Sequence, residues 1–132
     1  MASVFTKIIN GEIPAYKIAE DENYIAILDA FPIVKGHTLV IPKQETDKLY
    51  ELDEKTYTGL MLFARRVARA IEKAVPCIRV GVSVVGLDVH HVHVHLLPLN
   101  GPGDMNLNGE KLSLSAEEMQ RIAGAVSSAM EK

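Results

Sequence analysis

The chain has 132 residues, 48% of them apolar and 23% charged, which is the length of one ordinary domain with enough apolar material to bury a core. Its 17 acids outnumber its 14 lysines and arginines, for a net charge of −3; that balance argues against non-specific binding to nucleic acid or an anionic membrane, which needs a basic face. A lone cysteine, Cys77, and the lack of any apolar run near the ~18 residues that cross a bilayer leave no disulfide framework and no membrane span, so a soluble, cytoplasmic chain of one domain, residues 1–132, is expected.

Residues 3–10 read as a short helical turn stopped by Gly11, with Pro14 blocking continuation; Lys7, Asn10, Glu12 and Lys17 leave no apolar signal-peptide core there. Two strands follow, Tyr16–Ala19 and Tyr24–Asp29, joined by the charged turn at residues 20–23, and a third, His37–Ile41, runs from Gly36 to Pro42. A long helix spans residues 53–75. Leu60, Phe63, Val67, Ala70 or Ile71, and Ala74 form its apolar face, Asp53 stands at the N-cap and Pro76 ends it. Arg65, Arg66, Arg69 and Lys73 fall mostly on the opposite side and read as a solvated face. Two β-rich runs, Ile78–Val85 and Val89–Pro98, flank Gly86-Leu87-Asp88 and suggest an antiparallel hairpin. The loop Asn100–Lys111 precedes a second helix that begins at Ser115, has Glu118 three residues on, and runs to about Met130. The sum is an α+β domain with a five-stranded, mainly antiparallel sheet, one long helix and one C-terminal helix.

Chemistry concentrates at His90-His91-Val92-His93-Val94-His95. On a strand alternate side chains share a face, so His91, His93 and His95 line one face at a spacing of about 6.5–7 Å while Val92, Val94 and Leu96 face the core. Three uses compete. The row could be merely structural, although unpaired buried imidazole costs free energy. It could bind metal, but zinc nitrogens lie about 2.0–2.1 Å from the ion, so no single ion gathers all three histidines of an extended strand; His93 and His95 would need His37 or Asp88 to complete a set. Or the imidazoles could work directly, a neutral ring nitrogen attacking phosphorus while its neighbours donate hydrogen bonds and move protons.

At these residues the sequence resembles the histidine triad (HIT) family, whose His-φ-His-φ-His-φ-φ signature, with φ apolar, is matched by residues 91–97. Phe5 to Pro14, Asp29 to Pro32 and Gly36 to Lys43 resemble other segments of that family, and the likeness covers roughly residues 3–99. It is greatest to the nucleotide-binding branch with adenosine phosphoramidases and dinucleoside polyphosphate hydrolases. The resemblance implies a five-stranded antiparallel sheet with two helices, a homodimer, a small purine nucleotide as partner, and no cofactor. It implies that His93 attacks the α-phosphorus and carries a nucleotidyl group, and that His95 serves the leaving-group side. It also implies that His91 supports the nucleophile beside His37, that Asp29 accepts the ribose hydroxyls, and that Ile8, Ile27 and Leu28 wall the base pocket. The sequence departs from the family where many relatives carry Gly-Gln-Ser or Gly-Gln-Thr: here Leu87 cannot hydrogen-bond and Asp88 faces a phosphate with like charge. That departure favours a second reading, a nucleotide-binding sensor or scaffold without catalysis. A metal-dependent hydrolase using His93 and His95 is the third.

Overall fold

Tyr24–Leu28 (β2) and Thr38–Pro42 (β3) are buried at every position. Their near-continuous apolar sequence follows from a sheet with both faces covered. The computed structural model describes residues 2–131. Its elements are a short helix α1 (Val4–Ile9), β1 (Lys17–Glu20), β2, β3, the long helix α2 (Glu54–Ala74), β4 (Arg79–Ser83), β5 (Val94–Leu99) and α3 (Ala116–Ala129), with single 3-10 turns at Leu49–Glu51 and Pro102–Met105. The five strands form one sheet in the order β1-β2-β3-β5-β4, and every neighbouring pair is antiparallel.

Period-2 alternation divides the strand residues between two apolar clusters. On the helix side Ala26, Leu28, Val40, Val94 and Leu96 pack with Leu60, Phe63, Val67 and Ile71 of α2 and with Ile122 and Val126 of α3. On the other side Ile25, Ile27, Leu39 and Ile41 pack with Phe5 of α1. Burying each large aliphatic or aromatic side chain contributes about 1.5–3 kcal/mol, so the first cluster carries most of the fold. The expected face of α2 is the one that is buried, and Arg65, Arg66, Arg69 and Lys73 are exposed. Asp53 occupies the N-cap through its backbone, its carbonyl accepting the Tyr57 N–H (2.9 Å), while its side chain makes no capping bond. At α3 the Ser115 hydroxyl accepts the Glu118 N–H (3.1 Å), but the Glu118 carboxylate turns to Arg121 instead of closing a capping box.

Two expectations are corrected. The strand expected to start at Val89 starts at Val94, and the short hairpin turn at residues 86–88 is a connection spanning residues 84–93. Residues 91 and 92 are bonded instead by the end of β3 and the segment after it. The Val92 N–H donates to the Thr46 carbonyl (2.8 Å), and His91 Nε2 bonds the Pro42 carbonyl (2.8 Å). Neither bond belongs to a strand ladder.

Candidate active site

The face of the sheet away from α2 and α3 opens, beside α1, into a cleft of about 580 Å³. Ile8, Ile27, Leu28, Asp29, His37, Asp88, His93 and His95 all border it; His91 does not. Strand order explains the convergence: β5 lies next to β3, with Leu39 opposite His95, so the residue just before β3, His37, reaches the histidine that β5 contributes. The alternation survives the loss of strand structure. His91, His93 and Phe5 pack together, with Phe5 ring centroids 5.8 and 4.9 Å from the two imidazoles, on the side opposite Val92 and Val94. The rings are closer than a flat strand would hold them, with His93 and His95 centroids 4.9 Å apart.

Hydrogen bonds assign different work to His93 and His95. His93 Nδ1 lies 2.8 Å from the His91 carbonyl. A carbonyl only accepts, so Nδ1 carries the proton and Nε2 keeps its lone pair. On the other side of the cleft the Ile33 N–H donates to His37 Nδ1 (3.4 Å), which puts the His37 proton on Nε2. That proton is directed at His95 Nδ1, 3.0 Å away, and His95 therefore carries its own proton on Nε2. One ring offers a lone pair and its neighbour, in the same cleft, an N–H donor. This pairing suits attack on a phosphorus whose oxygens need hydrogen bonds.

Electrostatics keeps the group neutral. Burial is the main cause that lowers the pKa of His93, against the opposing pull of the His91 carbonyl and Asp29. His37 is likewise lowered, chiefly by burial. His95 is pushed down to about 4 by burial and then by His93, His37 and Lys111. A neutral imidazole is the form that can act as a nucleophile or a ligand.

The remaining candidates divide. Asp29 Oδ1 accepts the Phe31 N–H (2.9 Å), closing a turn, and its Oδ2 lies 3.6 Å from His37 Nε2; it serves the turn and the site together. Ile27 belongs to the apolar cluster under the cleft with Ile8 against it, whereas Leu28 packs with the helix-side core and meets the cleft only at the strand's end. Asp88 is exposed on the rim. His37 stands against His95, not beside His91 as the resemblance implies, and His91 is fully buried with Ser3 Oγ 2.7 Å from its Nδ1. Asp29, His37 and His95 offer ligand atoms all within 4.8 Å of one another, so among the described residues these three, without His93, form the set that could hold a metal ion. Two features escape the sequence: the Ser3–Thr6–Glu45 contacts around His91, and Lys111, which the loop after β5 brings to the cleft. Ser3 carries only an N-cap signal, and Lys111 carries none.

Comparison with known proteins places this geometry. A family model described as the HIT domain matches residues 10–101. The chain is 31% identical over 130 residues to an adenosine 5'-monophosphoramidase of Schizosaccharomyces pombe, covering 97% of this chain and 98% of that protein. Among solved structures, a Hit-like protein of Bartonella henselae superposes with a TM-score of 0.83 at 28% identity, covering 97% of this chain and 96% of the other. A hypothetical histidine triad nucleotide-binding protein of Sulfolobus tokodaii does so with a TM-score of 0.81 at 30% identity, covering 95% and 89%.

Proposed function

Since the chain belongs to the HIT domain family, we propose that it is a nucleotidyl hydrolase or transferase acting at the α-phosphate of a purine nucleotide, either a nucleoside phosphoramidate or a dinucleoside polyphosphate. The observation that carries this reading is the 2.8 Å bond from His93 Nδ1 to the His91 carbonyl, which leaves the Nε2 lone pair free in the cleft. In the proposed first step Nε2 forms a bond to the α-phosphorus as the bond to the leaving nitrogen or oxygen breaks, and the electron pair departs with the leaving group. His95 Nε2–H binds a phosphate oxygen; once the negative charge of the bound phosphate has drawn a second proton onto the ring from solvent, it supplies the proton that an amine leaving group requires. Water then attacks phosphorus, losing a proton to the freed His95 Nε2, the P–N bond breaks, and the pair returns to His93. Asp29 accepts the ribose hydroxyls, and Ile8 and Ile27 offer apolar walls to the base. The similarity to a named phosphoramidase supports the activity class.

A homodimer is part of the proposal. β4 is an edge strand, and Ile78 and Val82 on or beside it are 71% and 52% exposed, an apolar edge of the kind that a second copy covers.

The test is to incubate the protein with an adenosine phosphoramidate and with a dinucleoside polyphosphate, quench, and search by mass for one nucleotidyl group on His93. Turnover with His93 labelled is expected, and His93→Ala loses both while keeping nucleotide affinity. Near-normal turnover by that variant would refute the covalent route. Binding without turnover by the native protein would favour the sensor reading that Leu87 and Asp88 suggest. Activity abolished by chelation and restored by a divalent ion would favour a metal held by Asp29, His37 and His95.

A further inference from the structure

His91 reaches neither the cleft nor solvent, yet both of its ring nitrogens have close polar partners. Its Nε2 bonds the Pro42 carbonyl at 2.8 Å, an acceptor only, so Nε2 carries a proton, and the tautomer this bond selects has its lone pair at Nδ1. Ser3 Oγ lies 2.7 Å from that Nδ1 and 3.3 Å from Thr6 Oγ1. The serine has one proton, and the shorter contact, to a buried ring nitrogen, takes it. Its oxygen meanwhile accepts the Thr6 N–H (3.0 Å), capping α1. Glu45 holds this arm in place from outside, its Oε1 accepting the Ser3 N–H (2.9 Å) and the Thr6 hydroxyl (2.5 Å). Those two bonds keep the Glu45 carboxyl below its ordinary pKa. Every polar atom of the buried ring is thereby satisfied, and its backbone carbonyl is the group that fixes the proton of His93.

We propose that Ser3 is a positioning residue for the nucleophile: its hydroxyl donates to His91 Nδ1, locking that ring in one tautomer and orientation so that the His91 carbonyl holds His93 Nδ1–H and leaves His93 Nε2 facing the cleft. Loss of the donor strands a buried ring nitrogen, which then either takes a proton or turns. In both cases the peptide that carries the carbonyl shifts with it. α1 contributes a second constraint to the same ring, because Phe5 packs 4.9 Å from His93. Ser3, far from the triad in sequence, thus acts on the reacting atom without touching substrate.

The activity part of the test rests on the proposed nucleotidyl chemistry, but the spectroscopic part does not. Ser3→Asp keeps an N-cap acceptor for α1 and removes the donor; Ser3→Thr keeps both. In ¹⁵N-labelled native protein, His91 Nδ1 and His93 Nε2 are expected to resonate as unprotonated nitrogens. In Ser3→Asp the His91 Nδ1 signal moves to the protonated range and His93 becomes a mixture of tautomers. The kcat on a nucleoside phosphoramidate falls about tenfold with KM within about threefold, and Ser3→Thr restores both spectrum and rate. The proposal is overturned if Ser3→Asp leaves the two rings as in the native protein, or if His91 changes tautomer while kcat stays native. Should the native protein turn over no nucleotide at all, the hydrolase reading fails by itself. The spectra then decide the Ser3 assignment, an unchanged His93 in Ser3→Asp overturning it.

Discussion

Acid provides a direct test of the cleft. His95 is held down to about 4 by burial, by His93 and His37, and by Lys111. At pH 5 an imidazole of ordinary pKa 6.5 is about 97% protonated, whereas one near 4 is about 10% protonated. His93 and His37 are displaced in the same direction. Histidine proton resonances followed from pH 8 to pH 3.5 in the ligand-free protein are therefore expected to show three rings titrating below 6.5, with His95 lowest. Replacing Lys111 by methionine removes one of the causes and raises the His95 midpoint. The same displacement governs stability. Between the folded and unfolded pKa values the unfolded chain binds the proton and the folded chain does not, so the stability present above pH 6.5 is lost as pH falls toward about 4. For His95 the upper bound on that loss is about 3 kcal/mol, reduced because the ring is only partly buried. Urea unfolding at pH 7 and pH 4.5 reads this loss. A His95 midpoint at or above 6.5, or equal stability at the two pH values, would refute the picture of a desolvated neutral cluster.

Asp29→Ala is expected to weaken binding of ribonucleotides about tenfold and of their 2′,3′-dideoxy analogues far less, measured by calorimetry; equal losses would remove Asp29 from the ribose role. Gly59→Ala sets a methyl group against the Tyr24 side chain, whose hydroxyl bonds the Thr56 carbonyl (3.0 Å). The expected destabilisation is about 1–3 kcal/mol by denaturant titration, and an unchanged midpoint would show that the tyrosine moves freely. Val82→Asp on the edge strand is expected to halve the mass found by sedimentation without unfolding the chain, and an unaltered mass would displace the proposed interface from β4.

Much of this protein is written in short-range patterns. Alternation along residues 91–97, the 3.6-residue apolar face of α2 and the punctuation at Gly11, Pro14, Gly36 and Pro76 each follow from geometry between near neighbours in the chain. For that reason they identified the α+β class, the buried face of α2 and the side of the sheet that carries the histidines. Pairings between distant residues have no such signature. Ser3 meets His91 across 88 positions and His37 meets His95 across 58. The second depends on β5 entering between β3 and β4, and the first on residues 89–93 leaving the ladder. The tautomers depend in turn on those meetings, and Lys111 comes to the cleft on the loop after β5, which the Leu112 N–H ties to the Pro32 carbonyl. The sequence by itself determined which residues could do chemistry and on which face they stand. Only the tertiary structure decided which ring keeps a lone pair and which a proton, because a hydrogen bond is chosen by what lies across the sheet and not by what lies next along the chain.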